Sequence, residues 1–301
     1  MTQEATEGTL ADQSLALAHH AFVFQSAKAL GLGLFFWCGF LAFVIEEFFR
    51  PTYGLWMLTP ALLMMGFSAR AIRRALAAKT SVDTATAGYG QTARAFVVLL
   101  GLWWVMELGA VWGLYHEAWA FTFRVPLFAL ALLAAVPLAL RGARAAGHDG
   151  APRWVLRLLP QSLLLGAVAF QGVTLLRHIP AARHFRLPEV VAGLLVVNVA
   201  LWFATYASAR SSARRQPLPA LSGASAQRFW GWGLGVGHLV PVLMVTQGLT
   251  QLAPLALGWA ALGVCLCERV ALQQQALATA SQAQTAAESM TDTMTSRRER
   301  E

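Results

Sequence analysis

The stretch RAFVVLLGLWWVMELGAVWGLY, residues 94–115, decides the fold class of this chain. After Arg94 it carries one charged side chain, Glu107, and about 20 apolar residues in a helix are enough to cross ~30 Å of hydrocarbon. Seven further stretches of similar length and character occur in the 301-residue chain. The sequence therefore predicts an all-α, polytopic membrane protein with eight transmembrane helices at 28–49, 54–75, 94–115, 121–140, 156–177, 188–209, 229–248 and 252–271.

The composition agrees with a membrane environment. Hydrophobic residues make up 57% of the chain and charged residues 13%, which is unusual for a soluble domain. The 11 tryptophans suit the aromatic girdles found where helices leave the lipid. The lipid bilayer is thus the expected partner, and the net charge of +8 needs no nucleic acid to explain it.

Basic residues in the loops predict the orientation in a bacterial inner membrane. The loops after spans 2, 4 and 6 carry thirteen Lys or Arg and two acids, whereas the loops after spans 1, 3, 5 and 7 carry five Arg and four acids. Lys and Arg accumulate in cytoplasmic loops. We therefore expect both termini in the cytoplasm.

The apolar pattern divides the chain into five segments. Residues 1–27 form a polar cytoplasmic segment without the basic start and short apolar core of a signal peptide. Residues 28–140 and 156–272 are expected to form two four-helix bundles, joined by a cytoplasmic linker at 141–155. The polar tail at 273–301 is expected in the cytoplasm.

Short recurring motifs indicate that the two bundles are repeats. The sequence Ser-Ala-Arg closes span 2 at Arg70 and span 6 at Arg210, and Arg94 and Arg228 each precede an aromatic residue at the start of spans 3 and 7. The offsets are about 134–140 residues. A recurring period of this kind is typical of a duplicated architecture.

Two ionisable residues are expected near the middle of the membrane. Glu107 lies in span 3 and His238 in span 7, and a buried charge is costly enough to make each a functional candidate. Because Gly233, Gly235 and Gly237 precede His238, we expect space there for a ring-shaped ligand. A histidine and a carboxylate at one cavity suit a quinone, whose reduction consumes protons. An interhelical hydrogen bond that only stabilises the bundle is the alternative.

Other polar residues give weaker signals. Gln171 and Asn198 lie at similar depth in spans 5 and 6, where interhelical hydrogen bonding is their commoner role. The three cysteines do not have the spacing of a metal site and are expected to be buried apolar residues. We therefore expect this chain to hold no iron–sulfur cluster and no zinc of its own.

Several motifs, in order along spans 2 to 8, resemble the NrfD/DmsC-type membrane subunits of the DMSO-reductase superfamily. The stretch from Gly66 through Arg70-Ala71 to Lys79-Thr80-Ser81 is similar to the loop after their second span. Gln171 with Ile179-Pro180-Ala181, and Phe229-Trp230 with His238 and Pro241, are similar to motifs of their fifth and seventh spans. The stretch from Arg269 to Gln274 is similar to members related to the phenylacetyl-CoA oxidoreductase anchor.

The resemblance implies a membrane anchor that exchanges electrons with quinone within a multi-subunit oxidoreductase. It implies a ferredoxin-like iron–sulfur subunit and a molybdopterin catalytic subunit as partners, which hold the iron–sulfur clusters and the Mo-bis-MGD cofactor. The residues that we expect to contact quinone are His238, Glu107, Gln171 and Asn198, and those expected to contact a partner subunit are Arg70, Lys79, Thr80 and Ser81. A small-solute or proton-coupled transporter and a purely structural anchor are the alternatives.

Overall fold

The structure, a computed structural model, describes residues 2–44, 51–77, 84–145, 151–177, 187–211, 223–247, 252, 254–274 and 277. Within these ranges the chain is helical apart from short turns, and no strand occurs in them. The helices are α1 (Thr2–Val44), α2 (Pro51–Ala77), α3 (Thr84–Val111), α4 (Glu117–Ala145), α5 (Ala151–Arg177), α6 (Leu187–Ser211), α7 (Gly223–Thr246) and α8 (Pro254–Gln274). The predicted all-α class is confirmed.

Six of these helices are long and apolar enough to cross a membrane, by length and composition. Their apolar spans are Phe22–Leu41, Gly90–Val111, Thr122–Leu140, Leu187–Ala204, Gly223–Thr246 and Pro254–Gln274. Many large apolar side chains, such as Leu133 and Leu262, are exposed on the bundle surface, as lipid-facing residues are. The chain therefore has the character of a multi-pass membrane protein.

The predicted spans 54–75 and 156–177 are not among these six. Both stretches are helical, in α2 and α5, and Leu158–Gly172 is a shorter apolar stretch among the described residues of α5.

Helix α1 begins far earlier than the predicted first span at 28–49. It begins at Thr2 and its apolar part is Phe22–Leu41, while residues 45–50 lie outside the described ranges. The start of the chain is rich in Ala, Glu, Gln and Leu, which have high helix propensity. The predicted polar segment 1–27 is therefore largely the first part of α1.

Helices α1 and α5 form a close contact in the bundle. A Cβ added to Gly33 would lie 1.8 Å from the carbonyl oxygen of Ser162, and one added to Gly166 would lie 2.4 Å from the carbonyl carbon of Gly33. Four residues further along each helix, the rings of Trp37 and Phe170 stack with centroids 6.3 Å apart and planes 7° from parallel. The indole of Trp37 also donates a hydrogen bond to the Leu163 carbonyl oxygen at 2.8 Å.

An aromatic core lies between α1, α3 and α4. The ring of Phe35 contacts the rings of Phe96, Trp103 and Phe128 at centroid distances of 5.2, 6.1 and 5.3 Å. These rings fix α3 and α4 against α1, and so position the polar residues of α3 described below.

Candidate functional site

His238 lies in a segment with an unusual backbone. Residues Gln227–Leu239 of α7 form a π-helix of 13 residues. π-Helical turns are usually single insertions in α-helices, and they occur often at functional sites. The Gly-rich sequence of this segment tolerates the wider turn, because glycine has no side chain to restrain the backbone.

Hydrogen bonds fix the tautomer of His238. Its Nδ1 lies 2.8 Å from the Gly233 carbonyl oxygen, which can only accept, so Nδ1 carries the proton. Its Nε2 lies 2.8 Å from Asn198 Nδ2 of α6, and in the neutral ring Nε2 is the acceptor. His238 is fully buried and both ring nitrogens are paired within the protein.

Asn198 provides a further hydrogen-bond acceptor beside His238. Its Nδ2 donates to His238, while its Oδ1 is buried without a hydrogen-bond partner among the described residues. A buried acceptor without a hydrogen bond lowers the stability of the fold by about 1–3 kcal/mol, so its presence needs an explanation. Chemically, Oδ1 can accept a hydrogen bond from the hydroxyl of a bound ligand.

The expectation that the glycines before His238 leave space for a ligand is wrong at two of the three. A Cβ on Gly237 would lie 2.3 Å from the Gly263 Cα, and one on Gly233 would lie 2.5 Å from the Cys267 sulfur. The space is occupied by α8, because small residues let helices pack with their backbones in contact.

Glu107 has a different environment, built by α3 and α4. Arg124 holds its carboxylate in a bidentate ion pair, through Nε to Oε1 and through Nη2 to Oε2 at 2.6 Å. The indole of Trp103 donates a third hydrogen bond to Oε1 at 2.8 Å. A Cβ on Gly54 of α2 would lie 3.0 Å from the carboxyl carbon, so glycine at this position leaves room for the carboxylate.

Glu107 and His238 have separate hydrogen-bond partners among the described residues. The hydrogen bonds of Glu107 go to Trp103 and Arg124, and those of His238 go to Asn198 and Gly233. Each residue is thus part of its own polar pair. Sequence reasoning missed Arg124 as a partner because this arginine was counted among the five outer-loop arginines, although both the predicted span 121–140 and the apolar span of α4 include it.

Just beyond the end of α3, Tyr115 donates a hydrogen bond to the Met106 carbonyl oxygen. Partial burial raises the pKa of the Tyr115 hydroxyl, and the nearby negative charge of Glu107 raises this pKa further. Tyr115 thus stays in its neutral form beside the ion pair.

The remaining predicted residues are placed as follows. Gln171 is half-buried near the end of α5, and Arg70 is exposed near the end of α2. Lys79, Thr80 and Ser81 lie outside the described residues. The cysteines are free thiols; Cys38 and Cys267 are buried, and Cys265 is half-buried.

A third polar cluster, which sequence reasoning missed, joins α1, α5 and α8. Lys28, Gln161 and Glu268 are each at least 94% buried there. The amide of Gln161 donates to Glu268 Oε2 at 3.0 Å, and Lys28 interacts electrostatically with Glu268. The available signal was a pair of opposite charges at the same predicted side of the membrane: Lys28 begins the predicted first span, and Glu268 lies near the end of the predicted eighth span.

Comparison of the chain with protein-family models, with curated proteins and with solved structures finds no match. The function therefore has to be argued from the residues and the geometry of these clusters.

Proposed function

We propose that this chain is the membrane anchor and quinone-interacting electron-transfer subunit of a molybdopterin and iron–sulfur oxidoreductase. The single observation that carries the quinone part is the neutral His238–Asn198 pair, which offers a buried, unpartnered acceptor at Asn198 Oδ1 beside a π-helix. The motifs that resemble NrfD/DmsC-type subunits, in order along the chain, support the identity of the complex.

The proposal includes an architecture of two repeated four-helix bundles. The contacts between α1 and α5 support it, because Gly33 faces Gly166 and Trp37 faces Phe170. The sequence separation from Gly33 to Gly166 equals that from Trp37 to Phe170. This separation is slightly smaller than the offsets of about 134–140 residues between the repeated motifs. Such equivalent pairs meet at the axis when two copies of a unit pack around a pseudo-two-fold.

In this proposal Asn198 and His238 have separate roles. Asn198 Oδ1 accepts a hydrogen bond from a hydroxyl of the reduced quinone, and His238 holds the Asn198 amide in the orientation that presents Oδ1. Both ring nitrogens of His238 are already paired, which suits a positioning role. Contacts of Gln171 and Glu107 with quinone stay predictions, and Glu107 has a structural partner in Arg124.

The end of α2 and the following loop form the proposed contact with the iron–sulfur subunit. Arg70 is exposed there and leads into Lys79, Thr80 and Ser81. Electrons then pass between a cluster of that subunit and the quinone, while the substrate reacts at the molybdopterin cofactor of the catalytic subunit. With the termini in the cytoplasm of a bacterial cell, the catalytic subunit is cytoplasmic too.

Purification of the tagged chain from its native membrane tests the proposal. We expect an iron–sulfur protein and a molybdopterin protein to copurify, and we expect the complex to exchange electrons with quinone in detergent. Arg70→Glu should reduce the copurification, whereas Arg269→Glu should not, since Arg269 is an exposed arginine near the end of a different helix, α8. A chain that purifies without redox subunits would refute the proposal. A complex that reduces soluble dyes but not quinone would refute the quinone site and support the alternative of a purely structural anchor.

The transporter alternative has one observation in its favour. Lys28 and Glu268 form a buried pair of opposite charges between helices, which is an arrangement that proton-coupled transporters use. Solute-driven acidification in proteoliposomes that contain the chain alone would support this alternative.

A further inference from the structure

The hydrogen bonds of His238 decide which atom of Asn198 is left for a ligand. The Gly233 carbonyl oxygen can only accept, so the neutral imidazole carries its proton on Nδ1 and its Nε2 must accept. Asn198 therefore turns its Nδ2 toward Nε2, at 2.8 Å. Its Oδ1 is buried without a hydrogen-bond partner among the described residues. Because Nδ2 already makes a hydrogen bond, Oδ1 is the atom of this amide that gains most from a ligand.

A buried acceptor distinguishes the two redox forms of a quinone. The oxidised form carries carbonyl oxygens, which only accept. Reduction adds two electrons and two protons and converts these carbonyls into hydroxyls, which can donate. Beside Asn198 Oδ1 a hydroxyl makes a hydrogen bond, whereas a carbonyl brings two acceptors together. The reduced form is therefore the better partner for this atom.

Aromatic rings connect the Asn198 side of α6 with the lipid-facing surface. Trp202 lies one helical turn after Asn198, and its ring meets the ring of Phe229 edge to face with centroids 4.9 Å apart. The ring of Phe229 contacts that of Trp230 at 5.0 Å, and the ring of Trp230 contacts that of Phe203 at 5.2 Å. Phe203 is 54% exposed. Aromatic surroundings of this kind suit a ring-shaped ligand that arrives from the lipid.

At the equivalent place of the first bundle the chain has an apolar residue. The sequence separation from Met65 to Asn198 equals that from Gly33 to Gly166, so Met65 is the counterpart of Asn198 in the proposed repeat. Met65 is also buried, but its thioether is at most a weak acceptor. Met65 is therefore a suitable control position for changes at Asn198.

We propose that the Asn198–His238 pair selects the reduced form of a quinone and binds a hydroquinone more tightly than the corresponding quinone. This inference rests on the quinone-interacting function proposed above and names the ligand form that the site prefers. One additional hydrogen bond predicts a roughly two- to tenfold lower Kd for the hydroquinone. By linkage, a tenfold preference raises the midpoint potential of the bound couple by about 30 mV relative to the free couple.

Isothermal titration calorimetry tests the preference, with the full chain in phosphatidylethanolamine and phosphatidylglycerol nanodiscs under an oxygen-free atmosphere. The three ligands are a short-chain benzoquinone, its hydroquinone and the dimethyl ether of that hydroquinone, and protein-free nanodiscs give the blank. The ether keeps the ring and the tail but has no hydroxyl to donate. We expect the hydroquinone to bind roughly two- to tenfold more tightly than either of the other ligands. An ether that binds as tightly as the hydroquinone would overturn the proposal.

Two variants assign the preference to Asn198. Asn198→Leu should weaken the binding of the hydroquinone to the level of the quinone and leave the affinity for the quinone nearly unchanged. Met65→Leu is the matched control, because it is a volume-conserving change at the buried counterpart position and should keep the preference. A preference that survives in Asn198→Leu would assign it to another group and overturn the proposal.

The same titrations separate this inference from the proposed function. Equal affinities for quinone and hydroquinone would refute the preference alone, because a quinone site would still be present. Binding of neither form would refute the quinone site and the preference together. The titrations need no partner subunit, so their outcome is independent of whether redox subunits copurify with the chain.

Discussion

Gly33 of α1 and Gly166 of α5 bring the backbones of their helices into direct contact. A Cβ on either residue would lie within 2.9 Å of backbone atoms of the other helix. Backbone atoms cannot move aside as the end of a side chain can. This contact therefore sets the distance between α1 and α5, and with it the positions of Lys28 and Gln161 on the same two helices.

Replacement of Gly33 by Ala should destabilise the protein. Overpacking of a tight contact costs about 1–3 kcal/mol, which exceeds the gain of ~1 kcal/mol in helix propensity from glycine to alanine. Thermal unfolding in detergent should show a lower midpoint for Gly33→Ala.

Gly193→Ala is the matched control for this change. Gly193 lies in α6, and a Cβ there would meet no atom within 4 Å. Its replacement brings the same gain in propensity without the clash, so the midpoint should stay the same or rise. Equal effects of the two variants would show that α1 and α5 do not pack as described.

The ion pair of Glu107 and Arg124 should behave as one unit. Removal of either partner leaves a buried charge uncompensated, which costs about 3–5 kcal/mol. Glu107→Gln and Arg124→Gln should therefore each destabilise the protein, and the double variant should lose clearly less than the sum. Unfolding free energies from a double-mutant cycle measure this coupling. Strictly additive effects would mean that the two side chains do not pair.

The Asn198–His238 pair should affect quinone exchange more than assembly. Asn198→Leu removes the open acceptor, and the loss of one hydrogen bond of about 0.5–1.5 kcal/mol predicts a roughly two- to tenfold slower reaction with quinone. His238→Leu should give a defect of at least that size, because it leaves Asn198 Nδ2 unpaired and free to turn. Steady-state rates with quinone measure both effects.

Soluble dye acceptors provide the control for these two variants. Substrate turnover with a dye bypasses the membrane site and should stay normal in both. If the assembled His238→Leu complex reacts with quinone at the normal rate, the pair is purely structural and quinone binds elsewhere.

The orientation of the chain is a prediction from the loop charges. Reporter fusions after Ser81 should be active as cytoplasmic reporters, because thirteen Lys and Arg lie in the loops on that side. Fusions after Tyr115 should be active as periplasmic reporters and serve as the control. The reverse pattern would place the arginine-rich loops outside.

The helical class could be predicted from the sequence because long apolar segments have few structures available in lipid. The start of α1 could not, since polarity marks the limit of a membrane span but does not end a helix. The roles of Gly233 and Gly237 were also out of reach of the sequence. A glycine leaves space for a ligand or for another helix, and only the position of Gly263 on α8 shows which.

The sequence by itself determined the membrane environment, the all-α class and the polar residues that a bilayer makes costly. These properties follow from composition and from periodicity along one chain. The tertiary structure decided which polar residues meet: Glu107 with Arg124, His238 with Asn198, and Glu268 with Gln161. Partners on different helices depend on how the helices rotate and approach one another, which is set by side-chain packing and by close contacts such as that of Gly33 with Gly166.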